Sequence, residues 1–358
     1  MALLALGARN VRNIAHLEIE PSPTVNLFVG PNAAGKTSLL EAIHVLATGR
    51  SFRTSRLDEL TRHGQPLLRV TGSVREDERH ASVALGVERS QRQTSVRVGG
   101  RQAEGMAELA RVLPVQALHP ESHQLVAGGP RLRRAFLDWG AFYHHRGFQW
   151  AWQRYRRALQ QRNRSLRLQG QAGPAQAWDQ ELSRAGEEID AARRAYVSAL
   201  RTVIPGLAAE LLRTEGLELR YQRGWREEAS LAEVLAEGLA RDREQGYTAA
   251  GPHRADLRIL LDGQPAAEVA SRGQQKLAVT TLRLAQIALF RHDLGRQCAV
   301  LLDDLASELD RDNRGRVLEA LRSEGMQLFI TAIDREMVPI QGEGRVFHVE
   351  RGVVEAML

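Results

Sequence analysis

The sequence predicts an α/β fold: a mixed, mostly parallel sheet with a β-meander beside it and a helical lobe inserted in its middle. Three patterns lead to this prediction. Buried-strand and helix patterns alternate at both ends of the chain, which is typical of a parallel sheet. A period-two alternation between them indicates antiparallel strands. A long Arg- and aromatic-rich stretch has helical spacing, and no heptad pattern lasts long enough to predict a coiled coil.

The first predicted segment, residues 1–118, opens with two short apolar runs and a buried strand at Val25–Val29. A Gly-rich turn follows, and then apolar residues recur at helical spacing over 37–46. Between residues 67 and 98 apolar and polar residues alternate, and Gly99 and Gly100 supply a turn. We therefore expect a strand, a loop and a helix, followed by a meander.

The second predicted segment, residues 119–246, is the inserted lobe. Residues 131–170 hold ten arginines, one acid (Asp138) and eight of the chain's eighteen aromatic residues. A second helical run covers 178–200. We interpret the aromatics as the core of the lobe. We interpret the arginines as a surface for a polyanion, because so large an excess of positive charge is costly without counter-ions.

The third predicted segment, residues 247–358, returns to core-like sequence. Strands are expected at 256–261, 298–302 and 326–331, and helices at 273–291 and 313–322. This alternation predicts that the segment joins the first one in a single, mostly parallel sheet.

Composition limits the surroundings in which the chain works. The net charge is +6, which favours a polyanionic partner. Cys298 is the single cysteine, so no disulfide or multi-cysteine zinc site can form within one chain. We read no run of ~20 apolar residues and no secretory signal. The expectation is a cytoplasmic protein, associated with the nucleoid, with no membrane partner.

Lysine is almost absent from the chain. Of 49 basic residues, 47 are arginine, and the two lysines are Lys36 and Lys276. One lies in a Gly-rich loop and the other beside a second candidate motif. We infer that both positions need a compact ammonium group that a planar guanidinium cannot replace.

The Gly-rich turn has the pattern of a phosphate-binding loop, G-x-x-x-x-G-K-[ST]. It is formed by Gly30, Pro31, Asn32, Ala33, Ala34, Gly35, Lys36 and Thr37. A strand precedes it and a helix follows, which is the context that such a loop requires. Backbone N–H groups would cradle phosphate, Lys36 would meet the β- and γ-phosphates, and Thr37 would bind Mg²⁺. The cofactors predicted are ATP and Mg²⁺.

Two acids end the apolar strand at 298–302. Asp303 and Asp304 would lie at the carboxyl edge of a parallel sheet, where ligands bind. Asp303 is the predicted Mg²⁺ carboxylate. Asp304 is placed to activate the attacking water. With Lys36, these two acids are the predicted catalytic residues.

A third motif precedes the helix at 273–291. Ser271, Gly273 and Gln274 would form a second anion-binding cup at the helix N-terminus. The alternative is that Ser271 only caps its own helix. The residues alone leave both interpretations open.

The order of these motifs resembles the ABC-type ATPase heads of the SMC group. That resemblance implies that the signature serine of one head meets the γ-phosphate held by the other, so that ATP closes a homodimer. It also implies a D-loop at 307–310 (SELD) and a Q-loop glutamine, for which Gln116 is the candidate sensor of Mg²⁺ and γ-phosphate.

Within that group, the sequence is most similar to the bacterial recombination mediators. The similarity is carried by NVRN at 10–13, GRSFRT at 49–54, RRAFLD at 133–138, GPHRAD at 251–256, and the signature and paired-acid segments. It implies an ATP-dependent protein that binds double-stranded or gapped DNA. It further implies action with RecR and RecO, and help in loading RecA during DNA repair and replication restart.

Two positions depart from the group's pattern. Asp304 stands where glutamate is usual and is one methylene shorter, so we expect a weak ATPase in which hydrolysis acts as a timer. The histidine switch expected after the strand at 326–331 is replaced by Thr331-Ala332-Ile333-Asp334. The γ-phosphate sensor is therefore not assigned from the sequence.

The predicted DNA contacts are arginines on both sides of the first segment boundary. They are Arg50, Arg53, Arg56, Arg131, Arg133 and Arg134. Two alternatives share the phosphate-binding loop: an ATPase subunit of a membrane transporter, and a small-molecule kinase. Neither alternative predicts DNA binding that depends on ATP.

Overall fold

The computed structural model describes residues 1–54, 56–76, 81–90, 93–168, 174–338 and 344–357. Two compact units make up the chain: a first unit of Met1–Ser122 with Gly295–Leu358, and a second unit of His123–Leu294. The predicted insert of 119–246 differs from the second unit, which begins at residue 123 and also contains residues 247–294.

The described residues of the amino-terminal part of the first unit form eight strands and two α-helices. They are β1 (Ala2–Val11), β2 (Ile14–Ile19), β3 (Val25–Val29), α1 (Lys36–Thr48), β4 (Leu67–Arg75), β5 (Val83–Ser90), β6 (Gln93–Val98), β7 (Arg101–Gln102), α2 (Met106–Val112) and β8 (Val115–Leu118). Six of these strands form an antiparallel sheet in the order β2-β1-β4-β5-β6-β7. The predicted meander is confirmed, with the turn at Gly99 and Gly100.

The second unit is mostly helical. Its elements are α3 (Gln124–Ala127), α4 (Pro130–His144), α5 (Phe148–Arg167), α6 (Asp179–Leu212), β9 (Leu217–Gln222), α7 (Leu231–Glu237), α8 (Leu239–Gln245), β10 (Asp256–Leu261), β11 (Gln264–Pro265), α9 (Ala266–Val269) and α10 (Arg272–Leu294). One apolar cluster joins α4, α6 and α10 to β9 and β10, and another joins α5, α6 and α7.

The carboxyl-terminal part of the first unit completes its second sheet. It contains β12 (Ala299–Leu302), α11 (Leu305–Glu308), α12 (Arg311–Ser323), β13 (Gln327–Ala332), β14 (Gly344–Glu350) and β15 (Val353–Met357). The sheet order is β15-β14-β3-β13-β12-β8, and every neighbouring pair is parallel except β15 with β14. The predicted mixed, mostly parallel sheet is confirmed. Its parallel strands bring the ends of β3, β12 and β13 to one edge.

Helix α1 packs in a core that contains residues of both sheets of the first unit. Leu39, Ile43 and Leu46 of α1 share one buried cluster with Leu68 of the meander and Phe329 of β13. Full burial of each such side chain contributes roughly 1.5–3 kcal/mol. The helix that begins in the phosphate-binding loop is therefore held firmly between two sheets.

The strand at 256–261 does not belong to the parallel sheet, which corrects the expectation from the sequence. β10 pairs antiparallel with β9 and β11 in a separate sheet of the second unit. The sequence feature that predicts this antiparallel pairing is the turn after β10, where Asp262 and Gly263 have φ of 50° and 79°. An Asp-Gly pair between two strands is typical of a tight hairpin, and this turn makes β11 the antiparallel neighbour of β10.

The aromatic residues of 131–170 form the core of the second unit, as predicted. Phe136, Phe148 and Tyr155 are at most 2% exposed. Trp150 on α5 is the exception, with 63% of its surface exposed.

Several arginines are also internal, which corrects the view that they all face a polyanion. Arg162 is fully buried and donates to Asp179 and Asp242, each at 2.6 Å. Arg133 donates to both carboxylate oxygens of Asp256, at 2.7 and 3.0 Å, and also to the Gly128 carbonyl. Buried guanidinium groups need such partners, since an unpaired buried charge is strongly destabilising.

One helical stretch, Ala175–Leu212, has the length and composition that a membrane span requires. Its α6 portion contributes Ala185, Ile189 and Leu200, among others, to the buried clusters of the second unit. Buried helices of soluble cores pass the same test, so this is weak support for a membrane span.

The GPHRAD segment supplies a histidine that is kept neutral. His253 accepts from the Tyr155 hydroxyl at 2.6 Å through Nδ1, and its Nε2 lies 3.1 Å from the Thr248 carbonyl. Burial lowers the pKa of His253 from 6.5 to about 4, helped by the charges of Arg254 and Arg134. The folded state therefore takes up a proton less readily than the unfolded chain.

We expect the stability of the second unit to fall as pH drops from 6.5 to 4. The unfolded chain binds a proton at His253 over this range and the folded chain does not, which costs roughly 3 kcal/mol by pH 4. His253→Gln should flatten this part of the pH dependence. Urea unfolding followed by tryptophan fluorescence measures it, since all five tryptophans lie in this unit. An unchanged slope in the variant would contradict the assignment to His253.

Candidate nucleotide-binding site

The predicted phosphate-binding loop joins β3 to α1, and two glycines shape it. A Cβ atom on Gly30 would lie 2.1 Å from the Val349 carbonyl oxygen of β14. Gly35 precedes the helix with a φ of 119°, which side chains rarely adopt. Both glycines are therefore required by the path of the backbone.

Residues outside the loop hold its backbone in place. Asn13, in the turn between β1 and β2, donates to the Ala34 carbonyl at 3.1 Å and accepts from the Ser38 hydroxyl at 3.0 Å. The Gly352 N–H, from the turn between β14 and β15, donates to the same carbonyl at 2.7 Å. The sequence did not predict these supports, although Asn13 belongs to the NVRN segment.

Lys36 lies inside the loop rather than in solvent. Its Nζ donates to the carbonyls of Gly30 and Pro31, at 2.7 and 2.9 Å. Burial lowers the pKa of Lys36, and the negative charges of Asp304 and Asp303 oppose that shift. The ammonium group is thus fixed beside both acids, where a phosphate group would need its charge.

Thr37 and Asp303 converge although they are far apart in the chain. The Thr37 hydroxyl lies 3.0 Å from each carboxylate oxygen of Asp303. Burial raises the pKa of Asp303, while hydrogen bonds from Thr331 and Thr37 oppose the rise. A hydroxyl and a carboxylate in contact are a suitable pair of oxygen ligands for Mg²⁺.

Thr331, the fifth residue of β13, orients both acids at once. Its hydroxyl donates to Asp303 at 2.9 Å and accepts from the Asp304 N–H at 2.8 Å. Asp304 has a φ of 53°, a conformation that is uncommon outside glycine. In the sequence, Thr331 is notable only because it belongs to the segment that stands where a histidine is expected. In the structure, its hydroxyl positions both acids.

We expect Thr331→Val to weaken Mg²⁺-dependent ATP binding and turnover by about ten- to a hundredfold. Valine keeps the shape but removes the hydroxyl that fixes Asp303, and losses of this size are usual for residues that orient metal ligands. Binding of a fluorescent ATP analogue with and without Mg²⁺ measures the effect. Thr331→Ser is the control, because it keeps the hydroxyl. Equal loss in both variants would contradict the role.

Gln116 is the second residue of β8. It is 2% exposed within β8 and is level with Val300, three residues before Asp303. The residue that bonds to the Asp303 N–H is Leu118, through its carbonyl at 2.8 Å. This placement does not favour the Mg²⁺ contact predicted for Gln116. The side chain of Ser307, in the predicted D-loop, lies outside the described part of the structure.

The arginines predicted to bind DNA occupy different surroundings. In the first unit, Arg53 lies 3.5 Å from buried Glu41 and close enough to Asp303 to oppose the rise in its pKa. Arg53 therefore lies near Asp303 of the candidate nucleotide site. Arg50 and Arg56 are exposed, and Arg56 pairs with Glu59.

In the second unit, the three predicted DNA-contact arginines also differ. Arg131 is exposed at the start of α4. Arg134 donates to the Ala255 carbonyl at 2.8 Å, and Arg133 is engaged with Asp256. The guanidinium of Arg133 is therefore engaged within the unit, which does not favour the DNA contact predicted for it, whereas Arg134 uses one of its donors there.

The signature motif forms the N-terminus of α10 in the second unit. The Ser271 hydroxyl accepts from the Gln274 N–H at 3.3 Å, and the Ser271 N–H donates to the Gln274 side chain at 2.9 Å. Ser271 therefore caps its own helix. Its hydroxyl keeps a hydrogen that it can donate elsewhere, and the residues 271–274 are all exposed.

Gly273 is not required by the fold of the single chain. A Cβ atom there would meet only the Ser271 hydroxyl oxygen, at 3.9 Å. Glycine near the start of a helix costs up to about 1 kcal/mol relative to alanine. The open space at Gly273 leaves room for a close approach by another molecule, which is one use of glycine.

No group of three or more His, Cys, Asp or Glu side chains gathers as a metal site among the described residues. Mg²⁺ bound with a nucleotide needs no such cage, because phosphates and water supply most of its ligands. The pair of Thr37 and Asp303 is sufficient on the protein side.

Comparison with known proteins assigns the family. Residues 2–354 match the family described as RecF/RecN/SMC N terminal domain. The chain is 44% identical to "DNA replication and repair protein RecF" of Thioalkalivibrio sulfidiphilus over 99% of both chains. It is also 44% identical to the protein of that name from Pseudomonas aeruginosa, over 99% of this chain and 97% of that one.

The chain belongs to the RecF family. Among solved structures it is similar to a recombination mediator RecF described as bound to ATP, with a TM-score of 0.89, 27% identity and coverage of 100% and 98%. An SMC head bound to a domain of ScpA gives a TM-score of 0.60 at 15% identity, which supports the fold alone. The ABC-type head with an inserted lobe, predicted from the sequence, is confirmed.

Proposed function

We propose that two copies of this chain pair on ATP and close together around DNA, as a slow ATPase that acts in DNA repair and replication. The proposal rests on one observation: the residues suited to bind the nucleotide and the residues suited to contact a second copy belong to different units of the chain. The first unit holds a loop, a hydroxyl and two acids suited to a Mg²⁺-nucleotide, and the second unit presents an exposed, serine-capped helix N-terminus. RecF proteins described as bound to ATP and to an ATP analogue support the choice of nucleotide.

Each residue of the site has a distinct task. Lys36 would neutralise the terminal phosphates, and Thr37 with Asp303 would hold Mg²⁺. Bound ATP supplies a γ-phosphate whose charge can be shared with a second protein surface. Loop N–H groups at the start of α1 would contribute partial positive charge without any side chain.

The second surface is best explained as an intermolecular one. The hydroxyl of Ser271 and the N–H groups at the start of α10 would donate to the γ-phosphate held by the other copy. Gly273 would let the two backbones approach closely. Because the dimer is two-fold symmetric, each pairing event forms two such contacts.

Hydrolysis is expected to be slow, well below ten turnovers per second even with DNA. Asp304 is one methylene shorter than glutamate, and its backbone is fixed by Thr331, so its carboxylate reaches less far toward an attacking water. Asp304→Asn should abolish the remaining turnover and prolong pairing on ATP, since asparagine tolerates the same backbone conformation. Phosphate release measures turnover. A rate of tens per second in the unaltered chain would contradict the timer role.

DNA contact is expected to be mainly with phosphate, through exposed arginines such as Arg50, Arg56 and Arg131. Gel-shift measurements on gapped and duplex DNA with ATP, with ADP and without nucleotide test the proposal. Higher affinity with ATP is the expected result. DNA affinity that is the same with ATP, with ADP and without nucleotide would contradict closure on ATP, and no DNA binding at all would favour a transporter subunit or a small-molecule kinase. We further propose a cytoplasmic protein that acts with RecR and RecO and assists RecA loading.

A further inference from the structure

The arginines of α5 lie on two different faces of the helix. Arg154 and Arg162 pair with acids of α6 and α8, among them Glu181 and Asp179. Arg162 is buried, and Arg154 is partly exposed at the edge of α6. The remaining arginines of the helix, Arg156, Arg157, Arg164 and Arg167, are exposed and have no acidic partner among the described residues. The outer arginines therefore make no ion pair that would explain them through folding.

The outer face is a continuous line of donors. Moving along the helix in steps of three or four residues, the line contains Arg146, Trp150, Gln153, Arg157, Gln160, Arg164 and Arg167. Residues at this spacing lie on one side of a helix. From Trp150 to Arg167 the line extends about 25 Å. We name these seven residues the α5 stripe.

The stripe is free of acids over a long stretch of chain. The forty residues 139–178 contain seven arginines and no Asp or Glu, including the positions 169–173 that lie outside the described residues. Neighbouring like charges on a helix are mildly destabilising. A face of this composition is explained by a ligand that supplies negative charge along a line.

We propose that the α5 stripe binds the phosphate backbone of a nucleic acid, and that this contact needs no nucleotide. Arginine and glutamine donors at regular intervals suit a row of phosphates. Trp150, which is 63% exposed on the same line, offers a face on which an unpaired base can stack. A protein partner is less suited, since specific protein interfaces need an apolar centre that this stripe lacks.

Independence from nucleotide follows from the location of the stripe. All seven residues belong to one helix and the turn before it in a single chain, so no second copy is needed to complete the surface. The inference deepens the proposed function by adding a second, permanent DNA contact to the one that ATP pairing would close. It rests on DNA being the ligand, but not on the pairing mechanism.

The test is a triple variant, Arg157→Gln, Arg164→Gln and Arg167→Gln, in the full chain. Glutamine is a good helix former and these positions are exposed, so folding should be preserved. Binding to labelled single-stranded and duplex oligonucleotides is measured by fluorescence anisotropy without nucleotide at several salt concentrations. We expect a loss of at least about tenfold at low salt, and a slope of log K against log salt that falls by up to about 2.7 on duplex.

A matched control removes three charges from the first unit. Arg9, Arg69 and Arg97 are exposed on the antiparallel sheet, and their change to Gln alters the net charge equally. Near-normal affinity in this control, with the loss confined to the α5 variant, supports the proposal. Unchanged affinity and salt slope in the α5 variant, or an equal loss in the control, would overturn it.

The outcome separates this contact from ATP pairing. The α5 variant should still sediment as a dimer with ATP, because the stripe includes no residue of the nucleotide site. If pairing on ATP fails in the unaltered chain while the α5 variant still loses nucleotide-free binding, the pairing mechanism is wrong and the stripe stands. If the unaltered chain pairs on ATP but the α5 variant keeps its nucleotide-free DNA binding, the stripe proposal is wrong and the pairing mechanism stands.

Discussion

Replacing Ser271 with arginine should abolish ATP-dependent pairing while leaving ATP binding by the single chain nearly unchanged. The hydroxyl that would donate to the other copy's γ-phosphate is lost, and a long side chain occupies the place of close approach. A hydrogen bond to a charged group contributes about 1.5–3 kcal/mol. Since the proposed dimer has two such contacts, pairing should weaken on the order of a hundredfold or more.

Equilibrium binding of a fluorescent ATP analogue and sedimentation of the same samples measure the two effects separately. Ser271→Thr is the control, because threonine keeps both the helix cap and the hydroxyl. Loss of ATP binding by the isolated Ser271→Arg chain would show that the serine has a local structural role, and would contradict its action on another copy.

Lys36→Arg should reduce ATP affinity by about tenfold or more and weaken pairing with it. The ammonium group of Lys36 lies 2.7 and 2.9 Å from two loop carbonyls, which leaves no space for a planar guanidinium at the same point. The variant keeps the positive charge, so a loss of ATP affinity would be due to the different shape of the side chain. The variant is measured by analogue binding and by sedimentation with ATP.

Lys36→Met is the comparison that separates geometry from charge. It removes the charge and should reduce ATP affinity further, because the phosphates lose their nearest cation. Thermal unfolding of all variants shows whether the loop remains folded. Normal pairing of Lys36→Arg on ATP would contradict the assignment of the loop.

The chemical motifs were predictable because they are local in the chain. The eight residues from Gly30 to Thr37 and the acids Asp303 and Asp304 each depend on a few neighbouring positions. The parallel sheet was predictable for the same reason, since each strand and helix has its own apolar period. These elements place the site without any knowledge of long-range contacts.

The supports of the site were not predictable because they come from distant segments. Asn13 and Gly352 reach the loop from two different turns, and Thr331 reaches the acids from the next strand. Each is an ordinary residue whose role depends on register between strands. Sequence patterns do not specify register to one residue when strands are buried on both faces.

Composition likewise could not predict which arginine side chains are internal and which are exposed. Ten arginines in one segment suggested a single charged surface, yet Arg133 and Arg162 are used inside the second unit while Arg157 and Arg164 face outward. The packing of α4 and α5 against their neighbours decides which arginine meets an acid. A helix continuing past a proline, as α6 does at Pro205, is a similar case of packing overriding a local signal.

Sedimentation of the unaltered chain with Mg²⁺ and ATP, with Mg²⁺ and ADP, and without nucleotide tests the central claim most directly. If a γ-phosphate joins two copies, the mass should double with ATP and remain that of one chain in the other two conditions. A mixture of Ser271→Arg and Lys36→Met chains should recover part of the pairing, because one composite site is intact. The same mass in all three conditions would contradict the account.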